Sequence, residues 1–561
     1  MIRLLFVIVI FLFSFTLYSA DISSTQDGDW NATATWAGGS IPTSSDNVTI
    51  SHAVTVTGAQ AASTLTIDAS KTLTITKDGS LTVTGAITDN GTLTINSDAD
   101  ESGALIAKAA SSVTITYNYY VDSDYWRLIS PVMSGEVYGD IDDNLAQNSA
   151  QRGIGTFDNG AADGFVPYTT STSTSTSLTN GTGYEIMRSS DGTIAFTGTM
   201  LNAQVQVVVN DGAGANNGNW NLIGNPFPSY YNVNSNAGSG ADFLSDNVAD
   251  FDGSFAAVYA WDGIEDSYDI YNQSSDAKTM QPGDGFFVYC CSSSTFKILE
   301  FEEDAQTVAS GGKGFSGDEP SGAAKNIDFQ NVKFILKIIN EDKRSRKTEI
   351  YFNNKSTRGL DPGYDAGVMG MSGKDFQIYS HLVEDHNGIN MGIQSLPYSD
   401  MNDIVVPIGI NAKAGEIALV VQENTIPYDV QVYLEDKNTG KFTAFDEESN
   451  SIKIQSSQDL SGTGRFFLHF NQEKIDESNI PSEIKIYAPL GERKVIVEGL
   501  KRFEEDPTFT LYNVKGELVK QRILNKENDT ETIMVDDLSG SVYIVNLNFN
   551  SIFIKKKIII E

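Results

Sequence analysis

Between Asp46 and Thr116 the chain repeats one short phrase: "NVTIS", "AVTVTG", "STLTIDAS", "KTLTITKDG", "SLTVTG", "GTLTINS" and "SVTITY". The copies are split by Asp-Gly, Asn-Gly or Ala-Ser turns. Strict alternation of apolar and polar residues is a strand pattern, and Gly with Asn or Asp supplies the turns. Leu65, Ile67, Leu73, Ile75, Leu81, Val83, Leu93 and Ile95 fall on one face, with threonines on the other. One such strand cannot bury its apolar face alone, whereas stacked rungs can. The repeat therefore predicts a short β-solenoid, with a small antiparallel sandwich as the alternative. A solenoid needs its open end covered. Trp30 and Trp36, in the turn-rich stretch just before the repeat, suit that task, sugar stacking being the other use of such rings.

Past residue 116 the repeat vanishes but strands continue. Residues 117–301 hold short aromatic-rich runs such as "YWRLISPV", "NWNLIGNPFPS", "AAVYAWDG" and "PGDGFFVYCC", with Trp126, Trp220 and Trp261 among them. Residues 302–326 are Gly, Ser and charge without an apolar period, which reads as a linker. In 327–470 the alternation of Val430, Val432 and Leu434 against Gln431, Tyr433 and Glu435 suits an antiparallel sheet with one buried face, hence a β-sandwich. Residues 471–483 read as a second linker, and 484–561 as a last, small β unit. There "YNVKGE" predicts a tight hairpin with Gly516 at positive φ. No long stripe of 3.6-residue period appears. The expected class is all-β and multidomain: a capped solenoid over 21–116, sandwich-type modules, and a terminal sandwich.

Charge and cysteine content exclude several classes. The chain has 73 acidic and 38 basic residues, a formal charge of −35, which would repel a nucleic-acid backbone. At the N-terminus, Arg3, the apolar run Leu4–Leu17 and the small pair Ser19-Ala20 read as a signal peptide over 1–20. No later stretch could span a bilayer as a helix. The two cysteines, Cys290 and Cys291, are adjacent. On a strand they would point to opposite faces, so free buried thiols are expected rather than a vicinal bridge.

The last unit resembles the C-terminal sorting domain of cargo for the type IX secretion system of Bacteroidetes. The resemblance rests on Phe509 to Glu517 (with Tyr512, Asn513, Gly516 and Glu517), on Leu538 and Gly540 leading to Tyr543, and on Lys555, Lys556 and Lys557 near the end. The family pattern places its glycine directly before the Val-Tyr pair. Here Ser541 intervenes, so a shifted or bulged start to that strand is expected. "WNLIGNPFPS", "PGDGFFV" and "GLDPGYDAG" are similar to β modules that precede such domains, with Asp284 where glutamine is common. The resemblance implies Sec export, recognition by the type IX outer-membrane machinery, and a secreted or cell-surface destination. An edge strand can dock by strand addition, and edge lysines also guard against aggregation.

Traces of chemistry are sparse. "HLVEDH" (381–386) lacks zinc-motif spacing, and its histidines would lie on opposite faces of a strand. No G-x-S-x-G elbow exists, and "GGKGFSG" (311–317) lies in the linker rather than between strand and helix. The oxygen-rich turns "DIDDN" (140–144), "DNGAADG" (158–164) and "NDGAGANNGN" (210–219) leave structural Ca²⁺ open, although Asp, Asn and Gly also make turns without metal. No other cofactor and no catalytic residue is indicated. The expected function is a non-enzymatic exported protein, an adhesive or structural stalk. The alternative is a carbohydrate-binding or carbohydrate-active protein in which Trp126, Trp220 and Trp261 stack against an extracellular glycan.

Overall fold

The computed structural model describes residues 19–560, apart from 110–112, 162–163, 213–217, 238–239, 292–294, 309–314, 316–331, 371–373, 428–429, 446–449, 473–484, 490, 503–505, 515–516 and 550–551. The signal-peptide reading and the linker over 471–483 therefore fall almost wholly outside the described residues. The chain forms two compact units: 1–328 with 360–374, and 329–359 with 375–561.

The first unit opens with the solenoid. Asp21–Ser23, Asn47–Ile50, Thr64–Ile67 and Ile87–Asp89 pair in parallel as one sheet. Val54–Ala62, Thr72–Val83, Thr92–Asn96 and Thr114–Val121 pair in parallel as the other. All eight apolar residues of the expected inner face are buried. Each contributes about 1.5–3 kcal/mol by leaving water. Rungs stack closely enough that a Cβ on Gly91 would strike the carbonyl oxygens of Lys71 and Asp68. Trp30 and Trp36 are buried in the same core and meet edge to face at 5.0 Å. The Trp36 indole donates to the carbonyl of Trp30 at 2.7 Å, so neither ring is open to a sugar.

The solenoid does not stop at residue 116, because Thr114–Val121 runs through it and pairs antiparallel with Gly192–Met200. One apolar core runs from Ile22 to Met200. A second core gathers around the antiparallel sheet of Trp220–Gly224, Gly285–Tyr289, Val258–Asp262 and Ser267–Tyr271. Of the stretch expected as the linker 302–326, residues 302–308 and Phe315 are described, and they belong to this core. Gln306–Thr307 pairs with Tyr230–Asn232, and Ala305 and Phe315 are buried. The lone α-helix among the described residues, Phe243–Asn247, is capped by Asp242, which accepts from the Ser245 N–H at 2.8 Å. No helix among them is long and apolar enough to cross a membrane.

The expectation of free thiols is corrected: Cys290 and Cys291 are joined to each other. The strand ends at Tyr289, and Cys291 turns to φ +68°. The alternation that would have separated the side chains is broken there.

In the second unit, ten strands among the described residues, from Val332–Asn340 to Phe466–Gln472, join in one mostly antiparallel sheet. Its apolar residues form one core. Val430, Val432 and Leu434 are buried as expected, and Glu435 is covered as well, holding Lys437 at 2.6 Å and His469 at 2.8 Å. The terminal part has two sheets, Lys485–Tyr487 with Lys494–Glu498 and Thr530–Met534, and Leu518–Ile523 with Thr508–Asn513, Ser541–Phe549 and Ile552–Ile560. Val495, Val497 and Ile533 of the first sheet share a core with Phe509, Leu511, Val545 and Ile558 of the second.

Candidate functional site

The terminal sheet holds most of the residues singled out in the sequence. Among the described residues its outermost strand, Ile552–Ile560, pairs only with Ser541–Phe549, from Ser541 opposite Ile560 to Phe549 opposite Ile552. That register is unbroken, which corrects the expected bulge at Ser541. The irregularity lies instead between Leu511 and Tyr512, where Thr508–Asn513 meets Leu518–Ile523. Tyr543 points into the core and donates its hydroxyl to the Ser539 carbonyl at 2.9 Å, fastening the turn that carries Leu538 and Gly540. Across the hairpin, the Asn513 N–H donates to the Glu517 carbonyl at 3.0 Å, and the Asn513 side chain bonds both the Glu517 carboxylate and its N–H. Gly516 itself lies outside the described residues.

The three lysines are not equivalent. Directly opposed residues on antiparallel strands share a face. Lys556 stands opposite the buried Val545, and Lys557 opposite the exposed Ile544. Lys556 thus occupies the core-facing row of an edge strand, where a charge blocks further strand pairing. Lys557 and Ile559 fall on the outer face by register, and Lys555 pairs with Asn546 along the backbone.

The three tryptophans proposed for ligand stacking separate. Trp220 is buried, with its ring edge-on to Tyr259 at 4.7 Å and near Tyr289 and Phe255. It is packed as core. Trp126 is 36% exposed, beside Tyr125 at 37%. Trp261 is half-buried and meets Tyr268 across the strand pair at 4.9 Å. Gly263, in the turn after Trp261, packs on Tyr125 and the Trp126 carbonyl, which brings these elements together beside the exposed Ile264. Nearby, Glu185 is pushed up to about 7 by burial, and its carboxyl adds to the upward shift of the Tyr268 phenol.

Two motifs acquire a structural meaning. Asp284 of "PGDGFFV" is buried, and its carboxylate accepts from the N–H groups of Gln281 at 2.8 Å and Phe315 at 3.1 Å. Burial pushes its pKa up to about 6 against those bonds. Around it, the Tyr117 hydroxyl donates to the Pro282 carbonyl, and the Leu105 N–H to the Pro228 carbonyl. The "GNPFPS" and "PGDGFFV" turns thereby clamp the module onto the last solenoid rung. The "GLDPGYDAG" segment belongs to the same unit: the Tyr259 hydroxyl donates to the Gly367 carbonyl and Asn272 to the Tyr364 carbonyl.

His381 and His386 are not on opposite faces. The strand ends at Ser380, and in the following loop their rings stack 3.9 Å apart. Both His381 nitrogens have partners, Asn390 and Thr463. In the turn 158–164, Asp158 accepts from the Gly160 N–H at 2.9 Å and closes its own backbone, and in 140–144 Asp142 pairs with Arg152 at 3.3 Å; residues 213–217 of the third turn lie outside the described residues. Among the described residues no three His, Cys, Asp or Glu side chains gather as a metal site. Sequence reasoning missed Glu136, which is 1% exposed with neither oxygen in a hydrogen bond of ordinary length. A lone Glu in "MSGEVYGD" carries no signal of such burial.

Residues 22–470 match a family described as a domain of unknown function, DUF8693, and residues 494–561 match the secretion system C-terminal sorting domain. No curated protein matches the chain. A solved structure described as "Biofilm associated protein - BSP domain" aligns over 80% of this chain and 96% of its own at 7% identity, with a TM-score of 0.13, too low to bear on the fold.

Proposed function

This chain belongs to the DUF8693 family and ends in a type IX sorting domain, and from that premise we propose that the exported protein is a non-enzymatic adhesive or structural stalk. As type IX cargo it is exported to a secreted or cell-surface location. The observation that carries the reading is the sorting domain at 494–561, with Ile552–Ile560 as the outermost strand of its sheet. In our reading this strand is the element presented to the outer-membrane machinery, by backbone pairing along its free edge. The solenoid, the aromatic module and the sandwich before it are the delivered body, with parallel rungs that give a stiff, regular surface.

Deleting residues 552–561 tests the delivery step. Cell fractionation and surface labelling are expected to find the truncated chain in the periplasm, and surface display at the wild-type level would refute it. Attachment of cells lacking the protein tests the adhesive role; unchanged attachment would leave only the structural one. A glycan-binding reading is favoured by one observation, the exposed Tyr125, Trp126 and Ile264 beside Trp261. Stacking on aromatic faces is how such a surface would hold a sugar ring. Loss of polysaccharide binding in Trp126→Ala, without loss of folding, would select it.

A further inference from the structure

The outer face of the larger solenoid sheet is a two-dimensional lattice of threonines. Thr55, Thr74, Thr94, Thr116 and Thr197 stand directly opposite one another across five adjacent strands. Two positions along, the register also pairs Thr72 with Thr92 and Thr114 with Thr199. Strand geometry sets the lattice at about 4.8 Å between strands and about 6.6 Å along them. No charged or aromatic residue interrupts these positions, and the row ends at Asp29, opposite Thr55. Thr72, Thr92, Thr114 and Thr197 are exposed, and Thr74, Thr94 and Thr116 half-exposed. The hydroxyls of Thr116 and Thr197 bond each other at 2.9 Å. Those of Thr72, Thr74, Thr92 and Thr94 have no protein partner among the described residues.

Each β-branched side chain is stiff at χ1, so the hydroxyls and methyls are pre-ordered before any partner arrives. A single hydroxyl contact is weak. Many become strong together only when the partner repeats with the same spacing. The inner strands of this sheet are paired on both sides, which leaves no backbone for strand addition. A sugar chain would call for a run of aromatic platforms, and a charged mineral or lipid for a run of charges; the threonine rows carry neither, with Tyr120 and Asp29 standing only at their margins. Ice presents a regular, uncharged array of oxygens with repeats of this order. We propose that the threonine lattice binds ice, holding the protein, and a cell that displays it, to the crystal surface. This rests on the adhesive reading and names what is held.

The purified full-length secreted chain is offered to a slowly grown ice hemisphere, and the fraction incorporated is measured with thermal hysteresis. The wild type is expected in the ice. Thr94→Tyr and, on the exposed positions, Thr92→Lys should abolish incorporation with unchanged circular dichroism. Thr66→Tyr, on the other solenoid sheet, should not. Exclusion of the wild type from ice, or equal loss in Thr66→Tyr, overturns the proposal. So does Thr94-dependent retention on crystalline cellulose in place of ice, which would assign the face to polysaccharide. Because the assay uses purified protein, its outcome is independent of whether surface delivery or cell attachment holds.

Discussion

Replacing Glu136 by Gln should stabilise the first unit above neutral pH, and by a calculable amount. Glu136 follows the strand Met133–Ser134 and is 1% exposed. Burial pushes its pKa from 4.5 to about 8, the neighbouring Asp140 adds to the rise, and the Thr197 N–H opposes it only in part. A raised carboxyl pKa means that the folded state holds the proton more tightly than the unfolded one. The associated stability is complete below pH 4.5 and is lost as pH climbs through 8. At about 1.4 kcal/mol per unit, the full shift corresponds to about 5 kcal/mol above pH 9. Local relaxation and water entry reduce this to about 2–3 kcal/mol. Gln cannot ionise, so Glu136→Gln should melt together with the wild type at pH 5 and about 3–4 °C above it at pH 9, the shift expected for a unit of this size. Tryptophan-fluorescence melting across that range reads the difference. A constant offset between the two proteins at every pH would refute the reasoning, because it would show packing rather than ionisation.

Three further outcomes are expected. Asp284→Ala should lower the melting temperature through about 1–3 kcal/mol lost per unsatisfied N–H, those of Gln281 and Phe315, whereas Asp284→Asn, which keeps a carbonyl acceptor, should lose less. Lys556→Ile should raise the aggregation rate of the secreted chain in light scattering, because it removes the charge from the core-facing row of the edge strand, while Lys557→Ile should do so less. Cys290 and Cys291 should resist alkylation in denaturant until a reductant is added, and the unreduced chain should weigh about 2 Da less by mass spectrometry, two hydrogens lost in one disulfide.

Local pattern was enough wherever one face of a strand had to be buried. Leu65 to Ile95 alternate at period two, and a one-residue slip would expose the whole set. Their inward placement, the all-β class and the terminal sorting unit were therefore legible. The sorting residues were legible for another reason: they lie close together in sequence, so Asn513 and Glu517, or Ser539 and Tyr543, meet through a single turn. Trp220 and Trp126 look alike in composition, yet one is core and the other surface, because their environments come from distant segments, Tyr259 for the first and the turn at Gly263 for the second.

The sequence by itself determined the period of the strands, the polarity of their faces and the address at the end of the chain, since each depends on neighbours within a few positions. Only the tertiary structure decided that residues 302–308 are core rather than tether, that His381 meets His386, that Cys290 bonds Cys291, and that five separate threonines align into one lattice. Those outcomes depend on where a strand ends and on which register distant strands adopt. Register is settled by the collective burial of a whole sheet, and no single stretch of sequence contains that sum.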